Sequence, residues 1–169
     1  MRLFVATWPS RSAVGALRRL KRPDLAGVRW TTEQQWHVTL RFLGDVEDPE
    51  PIAEALTAGL RGVARADVVA DRRARRFGPS TVGVPVHGIE AIAAAVASAT
   101  APWGKAEMRP FRGHLTLARC RGRVPAATLS IGLPALQWQA DEVCLVRSHL
   151  RPSGAAYETL ETISLAGGG

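Results

Sequence analysis

The chain has 169 residues and a mass of 18.1 kDa, room for one domain or two small joined lobes. Hydrophobic residues make up 46% and charged residues 22%, which excludes a disordered chain. The net charge is +7 and the pI near 10.9; this favours anionic partners without by itself establishing nucleic-acid binding.

Every basic residue except Lys21 and Lys105 is arginine, the side chain that forks onto phosphate or carboxylate through two parallel hydrogen bonds. Cys120 and Cys144 are too few and too far apart for a disulfide framework or a zinc finger, and both are expected as small buried hydrophobes. The apolar start, Leu3 to Trp8, is too short for a signal-peptide core and stops at Pro9. No apolar run approaches the roughly 20 residues of a membrane span. The expected setting is cytoplasmic and reducing, with no membrane contact.

In chain order, residues 2–7 alternate as a strand. Ser10 is placed to cap a helix with Val14, Leu17 and Leu20 on one face. A short strand at Val28–Trp30 precedes a longer one from Trp36 to Leu43, closed by Gly44-Asp45. Asp48-Pro49 opens a helix that buries Ile52, Ala55, Leu56 and Leu60. Val68–Phe77 reads as one Arg-rich strand, paired across Gly78-Pro79-Ser80 with Thr81–Val86. An Ala-rich helix, residues 89–99, sets Ile89, Ile92 and Val96 on one face. Gly113–Cys120, Trp138–Leu150 and Ala155–Leu165 complete the strands, the last two joined around Pro152-Ser153-Gly154, with Gly167-Gly168-Gly169 as a frayed tail. Mixed strands with few helices, and no glycine-rich strand-to-helix turn, predict an α+β fold rather than a doubly wound parallel sheet.

The most informative feature is a repeat. His37-Val38-Thr39-Leu40 recurs half a chain later as His114-Leu115-Thr116-Leu117. In a strand, His and Thr two residues apart share one face, and the intervening apolar residues take the other. Each copy thus buries its apolar pair and offers an imidazole and a hydroxyl. If the two copies face each other, two imidazoles and two hydroxyls converge on one cleft. That set suits a phosphodiester. A neutral imidazole takes a proton from the attacking oxygen, an imidazolium protonates the leaving oxygen, and the hydroxyls donate to the non-bridging oxygens. No metal or other cofactor is required. A single His-x-Thr is usually just the polar face of a sheet; the matched pair outweighs that reading.

These residues carry a family resemblance. Trp36-His37-Val38-Thr39-Leu40-Arg41-Phe42-Leu43-Gly44 and Phe111-Arg112-Gly113-His114-Leu115-Thr116-Leu117-Ala118-Arg119 resemble the two motif blocks of the two-histidine phosphoesterase superfamily. Arg2–Ala6, Val28–Trp30 and Val143–Tyr157 are similar to the opening strand, the pre-motif strand and the closing hairpin of its RNA 2',3'-cyclic phosphodiesterases, the LigT-like proteins. The resemblance implies a bilobal α+β fold, with two antiparallel sheets around a V-shaped cleft under pseudo-twofold symmetry and helices outside. Residues 1–169 would form one two-lobed domain. It also implies hydrolysis of RNA 2',3'-cyclic phosphate ends to 2'-phosphomonoesters, with 2'-5' ligation as the reverse activity. Carried over, His37 is the proton donor, His114 the acceptor, and Thr39 and Thr116 bind phosphate. Gly113 stands where proline is common, and the stretch Ala74–Gly88 lacks the usual Trp-bearing strand.

Other residues are read by offset. Arg112, two before His114, is expected on its face, whereas Arg119, at an odd offset, is not. Arg41, two after Thr39, is expected at the cleft rim. Phe4 and Tyr157 are candidates for stacking a base, with core packing the competing role for Phe4. Trp36 is expected in the core, and His87 and His149 on the surface. The run Arg72-Arg73-Ala74-Arg75-Arg76 reads as a solvated segment before an RNA track. The expected partner is RNA, or a nucleotide, bearing a 2',3'-cyclic phosphate, with no obligate protein partner and a monomeric state. Competing readings are a phosphodiesterase acting on a small cyclic nucleotide or an ADP-ribose cyclic phosphate, a non-catalytic RNA-binding module, and a metal hydrolase using His37, His114 and a cysteine.

Overall fold

The computed structural model describes residues 1–105, 109–152 and 154–167. Its elements are β1 (Arg2–Thr7), α1 (Arg11–Arg18), β2 (Val28–Trp30), a 3-10 turn (Glu33–Gln35), β3 (Val38–Asp45), α2 (Glu50–Gly59), β4 (Ala66–Ala70), β5 (Arg75–Phe77), β6 (Thr81–His87), α3 (Glu90–Ala99), β7 (His114–Cys120), α4 (Ala126–Leu129), β8 (Gln137–Ala140), β9 (Glu142–Arg151) and β10 (Gly154–Ser164). Among them no helix is long and apolar enough to cross a membrane.

Local chemistry explains most boundaries. The Ser10 hydroxyl accepts from the Ala13 N–H and starts α1, which buries Ala13 and Leu17. Asp48 accepts from the Glu50 N–H at 3.0 Å, one position outside the N-cap, so α2 begins a residue late yet still buries Ile52 and Leu56. On α3, Ile92 and Val96 are buried, and Ile89 just before it is fully buried. Trp36 is 2% exposed, as its phase requires. Both cysteines are buried and free.

Two expected long strands are each divided. Val68–Phe77 breaks over residues 71–74, because β4 and β5 pair with successive ends of one strand: Ala70 faces Val86, and Phe77 faces Thr81. Trp138–Leu150 breaks at Asp141, where the chain changes neighbours: β8 pairs with β4, and β9 with β1 and β10. The one-turn α4 has no counterpart among the sequence expectations. Ser153 and the last two glycines lie outside the described residues.

The fold is α+β, with antiparallel strands in the order β10-β9-β1-β3-β7-β6-β4-β8; β2 is added on β7 and β5 on β6. It has two four-stranded halves, each with a motif strand innermost. They meet where β3 and β7 pair through Val38 and Leu115. Helix α2 packs on α3, and α3 on β3. The core runs through both halves, with Val5, Val38, Val84, Leu115 and Leu145 at 0% exposure.

Each motif strand carries a β-bulge at the same place. Thr39 faces Ala6 while Arg41 faces Val5, which leaves Leu40 extra. Thr116 faces Gly83 while Ala118 faces Val82, which leaves Leu117 extra. The bulge reverses the strand's phase. Leu40 and Arg41 are consecutive buried residues, as are Leu117 and Ala118, and the next residue on the open face is Phe42 in one strand and Arg119 in the other. The offset expectations for both arginines are therefore corrected: Arg119 joins the His114 face, and Arg41 leaves the cleft rim. Arg41 is 5% exposed, and its guanidinium donates to the carbonyls of Ala97 and Trp103, holding the C-terminal end of α3 against β3. Thr31 serves the second bulge: its hydroxyl lies 2.9 Å from the carbonyls of both Thr116 and Leu117.

Removing Arg41 leaves two part-buried carbonyls without their donors and opens a void. Arg41→Ala is expected to lower the unfolding free energy by about 2–4 kcal/mol, read by urea denaturation.

Candidate active site

His37 sits between the 3-10 turn and β3. Its Nδ1–H donates to the Gln35 carbonyl at 2.8 Å. That turn is held in place by Gln35, whose side chain accepts from the Thr32 N–H and donates to the Ala155 carbonyl of β10. His114 opens β7, and its Nδ1–H donates to the Arg112 carbonyl at 2.9 Å. In both cases the acceptor is the carbonyl two residues earlier. The neutral tautomer assigned by these bonds leaves Nε2 unprotonated on each ring. Nε2 of His37 lies 3.1 Å from the Thr39 hydroxyl, which donates to it.

Gly113 fixes the approach to His114. A Cβ there would stand 2.9 Å from the Val86 carbonyl, and the Gly113 carbonyl accepts from the Val86 N–H at 3.0 Å. The glycine permits close docking on β6, so the approach to His114 is tight.

The two halves enclose a cavity of about 210 Å3. His37, Thr39, His114, Thr116, Phe4 and Tyr157 all line it. Arg119, Phe42, Arg2, Ser148 and Leu150 line it too, and the offset reading missed them. The bulges explain Phe42, which is 60% exposed, and Arg119. Arg2, Ser148 and Leu150 come from distant strands and carry no local signal. Arg119 donates to the Thr81 hydroxyl at 2.6 Å, which anchors it beside β6.

Phe4 needs revision, whereas His87 and His149 lie where they were expected. Phe4 is 3% exposed, which leaves no face for a base; its ring packs 5.0 Å from His37 and 5.2 Å from Tyr157. Arg112 precedes β7, so strand alternation does not reach it. Its guanidinium lies over Phe77, 5.5 Å from the ring centre, and it lines an apolar pocket of about 320 Å3 that adjoins the cavity and shares Thr39 and His114 with it, together with Phe111 and the buried Arg41. His87 and His149 are surface residues paired with Asp71 and Glu158.

The two imidazoles have different surroundings. His37 is ringed by Phe4, Trp8 at 5.5 Å and Tyr157 at 4.9 Å, the last edge-on. His114 has Phe77 stacked nearly parallel, with centroids 4.1 Å apart. Burial pushes the His37 pKa down to about 4, against the pull of the Gln35 carbonyl, and Arg119 and His114 lower it further. Burial also lowers His114, again against a backbone carbonyl, with Arg119 and Arg112 adding repulsion. The phenol of Tyr157 is raised by burial.

His37 binds its proton more weakly folded than unfolded. Between pH 6.5 and about 4 the unfolded chain therefore holds more protons, and stability falls as pH falls. The loss approaches about 3 kcal/mol over that window. His37→Gln is expected to remove this part of the slope, seen as a smaller drop in unfolding free energy between pH 7 and pH 4.5 than in the parent protein.

Sequence comparison matches residues 8–152 to the 2'-5' RNA ligase superfamily. A Thermus thermophilus protein named RNA 2',3'-cyclic phosphodiesterase is 30% identical over 190 aligned positions, covering 99% of this chain and 91% of that protein. The crystal structure of TT0787 of Thermus thermophilus superposes with a TM-score of 0.82 at 26% identity, covering 99% of each chain. E. coli LigT in its apo form shares the fold, with a TM-score of 0.78 at 24% identity over 97% of this chain and 96% of LigT. Matched along nearly its whole length in sequence and in fold, this chain belongs to the 2'-5' RNA ligase superfamily as a LigT-like two-histidine phosphoesterase.

Proposed function

We propose that the protein hydrolyses the 2',3'-cyclic phosphate at an RNA end to a 2'-phosphomonoester. The observation that carries this reading is the single small cavity lined by both His-Thr pairs, each imidazole held by an Nδ1–H bond to the chain so that Nε2 is the reactive nitrogen. The relative named RNA 2',3'-cyclic phosphodiesterase supports the substrate class.

His114 Nε2 takes a proton from water as the water oxygen attacks phosphorus. His37 Nε2–H gives a proton to O3' as the P–O3' bond breaks. The charge on the non-bridging oxygens is met by hydrogen bonds from Thr39 and Thr116 and by the Arg119 guanidinium. Each turnover leaves His114 protonated and His37 neutral, and one proton exchange resets the pair. With an RNA 5'-hydroxyl in place of water, the same steps make a 2'-5' linkage. The protons balance on two imidazoles without a metal, so turnover is expected to survive a chelator.

A group with a pKa of about 4 is a poor donor near neutrality. The substrate supplies the correction, because a phosphate anion in the cavity stabilises the His37 imidazolium. In the free protein both histidines sit below the ordinary value of about 6.5. The kcat/KM profile is therefore expected to peak on the acid side of pH 6.5 and fall above it, whereas the basic limb of kcat moves to higher pH. A profile flat from pH 5 to 8 rejects paired acid–base work.

Changing His37 or His114 to Ala is expected to cut kcat by about 10²–10⁴-fold with RNA affinity changed little. Unchanged turnover in both variants would reject the paired-histidine reading, and RNA binding with no turnover in the parent protein would instead identify a binding module.

A further inference from the structure

Beside the catalytic cavity lies a second one of about 480 Å3, lined by Arg29, Arg119, Arg121, Gly27, Pro152 and Gly154 among others. Arg119 lines both. We infer that the arginine-lined cavity is a phosphate subsite that takes the phosphodiester on the 5' side of the terminal nucleotide. The preferred substrate is then an RNA strand rather than a cyclic mononucleotide. This rests on the phosphodiesterase reading and adds to it a requirement about chain length.

Three features carry the inference. Arg29 on β2 and Arg119 on β7 are direct partners across antiparallel strands, an arrangement of like charges that weakens a sheet unless an anion lies between them. Arg121 follows on the same strand end, its N–H bonded to the Gly27 carbonyl at 2.7 Å, which brings a third guanidinium to the same cavity. Among the described residues no carboxylate lies within salt-bridge distance of Arg119 or Arg121.

The ligand chemistry follows from the donors. Guanidinium groups fork onto phosphate oxygens, and no base-reading group is needed to hold a phosphodiester. Arg119 lines both cavities, and Ala155 of the catalytic cavity adjoins Gly154 of the second, so the two are neighbours along one wall. A chain whose terminal phosphate sits between His37 and His114 therefore leaves past Arg119 into this cavity. Arg119 serves the terminal group, whereas Arg29 and Arg121 serve the next one.

The test compares three substrates: a 2',3'-cyclic mononucleotide, the same molecule with a 5'-phosphate, and a dinucleotide ending in a 2',3'-cyclic phosphate. For the parent protein KM is expected to be about 10-fold lower for the last two than for the first, as one charge-assisted contact allows. Arg29→Gln and Arg121→Gln are each expected to remove most of that gain, with kcat unchanged and the plain mononucleotide unaffected. That unaffected turnover also shows that the variants fold. The dependence of log(kcat/KM) on log salt for the dinucleotide is expected to lose about 0.7 of slope per lost contact. Equal kcat/KM for all three substrates overturns the subsite, as does a dinucleotide advantage that both variants retain. Turnover of none of them overturns the phosphodiesterase reading as well.

Discussion

One extra residue in each motif strand determines what the site contains. Without the bulges at Leu40 and Leu117, strict alternation would point Arg41 at the cleft and Arg119 away from it. With them, the first strand keeps its arginine as a buried clamp on α3, and the second aims its arginine at the cavity. Both strands still bury the apolar residue before the bulge. A bulge also leaves backbone groups off the ladder, and here Thr31 accepts that role for the carbonyls of Thr116 and Leu117. The Trp36 indole N–H in turn donates to the Thr31 hydroxyl at 3.0 Å. The residue next to His37 is thus connected, through two side chains, to the strand that carries His114.

The pair is similar in backbone and unlike in surroundings. Each imidazole uses one nitrogen on the carbonyl two residues back, which fixes ring orientation at little cost in packing. Aromatic edges close in on His37, while a single ring is stacked on His114. Dehydration lowers the basicity of both groups, and what differs between them comes from the neighbouring rings rather than from the motif.

Much of this was legible in the sequence. The first strand, the capped α1, the Ala-rich α3 and the convergence of His37, Thr39, His114 and Thr116 follow from periodicity and from the repeat. Arg41 and Arg119 did not, because an offset argument extrapolates a period of two through a position where the period fails, and neither Leu40 nor Leu117 looks unusual there. The breaks in Val68–Phe77 and Trp138–Leu150 were hidden for a different reason. Each marks a change of partner strand, and partner choice is a tertiary property absent from local pattern. Arg2, Ser148 and Leu150 reach the site from strands whose place in the sheet is set by the whole topology.

The strand order has a consequence for the chain as a whole. The segment after β3 crosses over to pair with β6 and β8, the segment after β7 returns to flank β1, and β2 is lent to β7. Each half is thereby completed by residues that the other half's stretch of polypeptide supplies. A cut near the midpoint would yield two fragments with gaps in both sheets, so the repeat, though duplicated in writing, is indivisible as an object. Neither imidazole could have been kept or refined in isolation once the halves were interlaced in this way.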